Sequence, residues 1–124
     1  MKEFLYVFLG GGAGSVIRYT VHLLINGREG SMSFPWSTFT VNILGSFLIG
    51  IFYSLSLRFN LSYETRLLFT VGFCGGFTTF STFSNESLAL LRTGLYGTFI
   101  AYILFSVVLG IVAVFAGNYL GKQF

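Results

Sequence analysis

The residues with the most chemical promise lie in one run, Gly72-Phe-Cys-Gly-Gly-Phe-Thr-Thr-Phe-Ser-Thr-Phe-Ser-Asn-Glu86. Three glycines and a series of hydroxyls fall there within an otherwise apolar stretch. Paired glycines followed by β-branched threonines are poor material for a continuous helix. The run therefore predicts a break over 75–79, with a new helix beginning around the hydroxyls of Thr78 and Thr79. A broken helix at membrane depth survives only where protein or a polar cavity satisfies the freed backbone groups. In transporters such breaks present N–H groups to anions and carbonyls to cations. Phe77, Phe80 and Phe83 recur at spacing three, with Phe80 and Phe83 close to one face; plain packing explains them equally well. Cys74 reads as a small apolar filler, and Glu86 as a carboxylate near the end of a span.

Three further faces carry polar groups. Gly10, Gly14, Arg18 and His22 follow one another at intervals of four, on one helical face. Arg18 is an intramembrane cation, expensive unless paired or hydrated. It has three open roles: drawing anions into a vestibule, capping carbonyls of a neighbouring helix, or snorkelling to the interface. His22 has no second histidine or cysteine partner, so it reads as a solvated or hydrogen-bonded side chain. Thr38, Asn42 and Ser46 form the second face. Hydroxyls inside helices commonly bond back to their own backbone, whereas the Asn42 amide must find partners in a dry environment. Its alternatives are glue between helices and a donor lining a pore. Thr98, Tyr102, Ser106 and Gly110 make the third face, a track of hydroxyls or a packing surface.

The elements that hold these residues follow from composition. The 124 residues are 54% hydrophobic and 9% charged, against about 25% charged in a soluble domain. Mean hydropathy is +0.80 and the mass 13.7 kDa. These values exclude a disordered chain, a nucleic-acid module and an ordinary cytosolic enzyme. With one His and one Cys, neither a nucleophile–base pair nor a multi-cysteine metal site can be assembled. A spanning helix needs ~20 mostly apolar residues, and four stretches qualify, at about 4–25, 37–57, 67–91 and 95–118. Pro35-Trp36 suits the start of the second. The chain reads as a single all-α membrane domain, 1–124, with both termini on one side. Lys2, Arg58, Arg66 and Lys122 lie on that side, against Arg28 and Arg92, with Arg18 nearer the latter. So even a count gives a weak orientation bias, compatible with ordinary insertion or with insertion both ways up. Small residues four apart, Gly10/Gly14, Ser46/Gly50 and Gly72/Gly76, favour close helix approach in lipid.

The segment Gly72-x-x-Gly-Gly-x-Thr-Thr-Phe-Ser-Thr-Phe closely resembles the signature of the Fluc family of fluoride channels, also called CrcB proteins. Gly10-Gly-Gly-x-Gly-x-x-x-Arg18-Tyr19 is similar to the first helix of that family, and Asn42-x-x-Gly45-Ser-Phe47 to its second. The resemblance implies a passive fluoride channel of the bacterial inner (plasma) membrane, built as an antiparallel, dual-topology homodimer with two pores. It implies that Phe80 and Phe83 meet fluoride through their ring edges and that Asn42 is a pore donor. Tyr102 and Ser106 fall on the polar track of the fourth helix, with Gly110 one turn on. Thr79, Ser81 and Thr82 would line the adjacent path, with Thr38 grouped beside them. The backbone carbonyls of Gly75 and Thr78 match the place where two subunits hold a structural Na+. A drug/proton antiporter is a poorer reading, since it needs a mid-membrane carboxylate where the first span has Arg18. A purely structural subunit has no need of aligned polar faces.

Overall fold

Four helical stretches are long and apolar enough to cross a membrane: Lys2–Asn26, Trp36–Arg58, Tyr63–Arg92 and Tyr96–Gly121. They are seen in a computed structural model that describes residues 1–27 and 34–124; Arg28, counted among the loop charges, lies outside them. The elements run α1 (Lys2–Asn26), α2 (Trp36–Arg58), α3 (Tyr63–Leu67), a π-helical run (Leu68–Cys74), α4 (Gly75–Phe77), α5 (Phe80–Arg92) and α6 (Tyr96–Gly121), with no strand among the described residues. The expected spans are all present. The third begins earlier than its hydropathy suggests, because Ser62 caps α3 by accepting from the Thr65 N–H at 3.2 Å.

The interruption of the third span is narrower than expected. Gly75 and Gly76 remain helical, and only Thr78 and Thr79 turn extended, at φ −88°, ψ 163° and φ −151°, ψ 125°. Ahead of them the Gly75 N–H reaches the Thr70 carbonyl, five residues back, closing a π turn. Thr79 then caps α5, its Oγ1 accepting from the Thr82 N–H at 3.3 Å. The glycines therefore serve another purpose. A Cβ on Gly76 would overlap the Gly11 carbonyl oxygen, and one on Gly10 or Gly14 would overlap the carbonyls of Leu68 or Phe73. These residues let α1 lie backbone-to-backbone against the third span.

A second glycine seam joins α2 to α6. A Cβ on Gly50 would strike the Val114 carbonyl, and one on Gly117 the Phe47 carbonyl. The bundle is thus two intimate pairs, first span with third and second with fourth, while α1 and α2 meet much less. Replacing Gly117 with Ala should force the second pair apart and cost about 1–3 kcal/mol, the usual range for overpacking. Thermal unfolding in detergent checks this, with Gly12→Ala as the comparison, since a Cβ there meets nothing within 4 Å and should raise stability by the ~0.5–1 kcal/mol of helix propensity.

Candidate functional site

An extended pair of residues in mid-span releases N–H and C=O groups that the helix no longer pairs. Asn42, from α2, takes both of those at Thr79. Its Nδ2 donates to the Thr79 carbonyl at 3.0 Å and its Oδ1 accepts from the Thr79 N–H at 2.8 Å. The amide thus stands in for one rung of a strand ladder. Of the alternatives for Asn42, glue between helices is what the geometry displays, and the second N–H of Nδ2 is left over. Arg18, from α1, donates from Nε to the Gly76 carbonyl at 3.0 Å, and Ser15 Oγ approaches the same oxygen at 3.5 Å. Its role here is carbonyl capping. His22 meets the Asn26 amide at 3.4 Å, a hydrogen-bonded side chain as expected.

Two carbonyls of the break stay free. Among the described residues no N–H or O–H donates to the oxygens of Gly75 and Thr78; Thr78 spends both its N–H and its hydroxyl on the Cys74 carbonyl, at 3.0 and 2.8 Å. These neutral, hard oxygens suit an alkali cation better than a transition metal. Two of them are too few to enclose one. No cluster of three His, Cys, Asp or Glu side chains occurs among the described residues.

A second polar knot lies beyond the break. Glu86 on α5 accepts from Thr38 Oγ1 at 3.0 Å and from Tyr102 Oη at 2.9 Å, so three helices converge on one carboxylate. Tyr102 is fully buried, with the rings of Phe83 and Phe34 at centroid distances of 5.0 and 5.4 Å. Residue type alone marked Glu86 as a lone carboxylate in an apolar helix, yet it is the hub of the cluster. The available signal was its place one turn past Phe83. Ser106, one turn along α6 from Tyr102, has a buried hydroxyl with no partner among the described residues. Gly110, one turn further on, faces Ser46 Oγ, which a Cβ there would meet at 3.7 Å and which donates to the Asn42 carbonyl at 2.7 Å.

Two openings gather part of the set singled out from sequence; Ser81, Phe83, Tyr102 and Ser106 line neither. A groove of about 510 Å3 holds Asn42, Gly75, Thr78, Thr79 and Phe80. A smaller one of about 240 Å3 holds Arg18, Thr38, Thr79 and Thr82. Thr79 borders both. Phe83 touches Phe80 at 5.9 Å between centroids but packs inward on Tyr102, whereas Phe80 is 78% exposed. Ser81 is exposed beside it.

Four apolar spanning helices, one interrupted and clamped by polar side chains from two others, define a multi-pass membrane protein of the broken-helix kind. Residues 5–118 match the family model of the CrcB-like proteins, described as Camphor Resistance (CrcB). The chain belongs to the CrcB family. It is 60% identical to the fluoride-specific ion channel FluC of Bacteroides fragilis, covering 100% of this chain and 99% of that one. The protein of the same name from Phocaeicola vulgatus is 56% identical, over 98% of this chain and all of that one. One from Thermus thermophilus is 50% identical, over 98% of this chain and 96% of that one.

Replacing Asn42 with Leu keeps the branched shape, at a larger volume, and strips the break of its clamp. An unpaired buried N–H costs ~1–3 kcal/mol, so the Thr79 amide should exchange with solvent roughly 5- to 150-fold faster. Site-resolved hydrogen exchange in micelles measures this; an unchanged Thr79 amide would show that Asn42 does not hold the break.

Proposed function

We propose that this chain is a fluoride-selective channel that lets cytoplasmic fluoride leave a bacterial cell passively across its inner membrane, and so confers fluoride resistance. The observation that carries the reading is the full-length kinship with proteins named fluoride-specific ion channels, in a chain whose break gathers neutral donors. Fluoride is small and strongly hydrated, so a path must replace its water with closely spaced donors. Hydroxyls and the Asn42 amide do this without a full charge that would trap the ion. The rings of Phe80 and Phe83 add their positive edges. Chloride, being larger, does not fit a tight path. A membrane potential supplies ~2.3 kcal/mol per charge per 100 mV, enough to expel an anion without ATP.

The channel works as a pair. Two copies in opposite orientation would join their exposed faces, including Phe80, into two pores. They would also bring the free Gly75 and Thr78 carbonyls of both subunits around one structural Na+. The near-even loop charges and the half-built oxygen site support this assembly. Asn42, Thr79, Ser81, Thr82, Phe80 and Phe83 line the path, followed by Tyr102 and Ser106, with Thr38 beside them. Arg18 props the break open from the side.

Efflux from liposomes holding the purified protein tests the function. Fluoride should leave and chloride should not; equal chloride efflux would refute selectivity. Phe80→Ile and Phe83→Ile should each slow fluoride by about two- to twelvefold, matching the ~0.5–1.5 kcal/mol of an aromatic contact. Flux unaffected by removing all alkali ions would refute the sodium. Orientation has its own test, a cysteine added after Phe124 and a membrane-impermeant reagent on intact cells. Insertion both ways up labels about half the population, as a balanced charge bias requires; labelling of all or none would sink the antiparallel dimer.

A further inference from the structure

The adjoining ends of α2 and α6 take no part in the fluoride path. Arg58 closes α2 and Lys122 follows α6, and one Nη of Arg58 donates to the Lys122 carbonyl, tying the two ends together. Between them runs a groove of about 280 Å3 lined by Ser54, Leu57, Arg58, Asn118 and Lys122. No carboxylate lines it. Among the described residues the one ion pair joins the N-terminus to Glu3, so both cations here lack an acidic partner. The carbonyl bond occupies one Arg58 donor; the other guanidinium N–H groups, the Lys122 ammonium and the Asn118 amide remain to bind something else.

The surroundings say what that is. Leu57 is 79% exposed and Tyr119, on the same end of α6, 68% exposed. Apolar and aromatic side chains at the end of a span sit at the level of lipid headgroups. A basic groove between helices at that level suits an anionic headgroup. We infer that this groove binds the phosphodiester of an anionic phospholipid. Arg58 and Lys122 hold its phosphate oxygens, Asn118 donates a further hydrogen bond, and Leu57 lies along the acyl chain. A free phosphate shares the polar half of that chemistry but gains nothing from the apolar wall.

The full chain in detergent, titrated with phosphatidylglycerol, phosphatidylcholine or inorganic phosphate, tests the site. Native mass spectrometry counts bound lipid, and thermal unfolding reads the stabilisation. Phosphatidylglycerol should bind and raise the melting temperature more than phosphatidylcholine, and inorganic phosphate should not displace it. Lys122→Gln should weaken that binding about fivefold, the worth of one cation near an anionic headgroup. The Arg58→Gln, Lys122→Gln pair should erase the preference over phosphatidylcholine. Lys122→Gln alone keeps the test sound if loss of the Arg58 tie unfolds the helix ends. Unchanged phosphatidylglycerol affinity in Lys122→Gln would overturn the proposal, and full displacement by inorganic phosphate would assign the groove to a free anion instead.

Discussion

Two extended residues in the middle of an apolar helix set the terms for everything around them. Each backbone group left bare in hydrocarbon costs several kcal/mol, so a break at Thr78 and Thr79 needs polar side chains from other helices or a groove beside it. Asn42 takes both backbone groups of Thr79 and Arg18 takes the Gly76 carbonyl just ahead of the break, and each arrives on a helix that must come very near. Gly10, Gly14 and Gly76 admit α1; Gly45 admits α2, since a Cβ there would overlap the Thr78 methyl. Break, clamp and small residues are one device, and removing any member strands the others.

The spans and the existence of a break were legible because both depend on local properties, apolar length and helix propensity. The location of the break was only half legible. Glycine pairs lower helix propensity wherever they stand, but both glycines stay helical here, and close packing of Gly76 against Gly11 rewards its lack of a side chain. The chain opens instead at the threonines, where the hydroxyl of Thr79 can cap the new helix. Arg18 and Asn42 were legible as residues obliged to find partners, not as residues bonded to particular carbonyls. Those partners are 58 and 37 positions away along the chain, and no periodicity encodes them. Glu86 was the hardest, because its meaning resides in Thr38 and Tyr102 on two other spans.

The polar side chains also share a common restraint. The positive charge of Arg18 is turned to a carbonyl and the carboxylate of Glu86 to two hydroxyls. An O–H has one proton to give, so Thr38 and Tyr102 serve either Glu86 or another acceptor at any moment. Any anion that gains their protons takes them from the carboxylate. The cluster is thus a set of donors already under competition, in which acceptors exchange and no donor is created or lost.

The interleaved pairing of spans has a consequence for how the protein is made. The small-residue face of α1 packs against the third span and that of α2 against the fourth, so neither early helix finds its partner in its neighbour. Synthesis proceeds at about 5–20 residues per second, and Gly14 meets Phe77 only after the intervening chain has emerged. For roughly several seconds at that pace the first two helices stand in lipid as independent rods, and Asn42 faces hydrocarbon without Thr79. The first seam can close once the third span has emerged, and the second waits for α6.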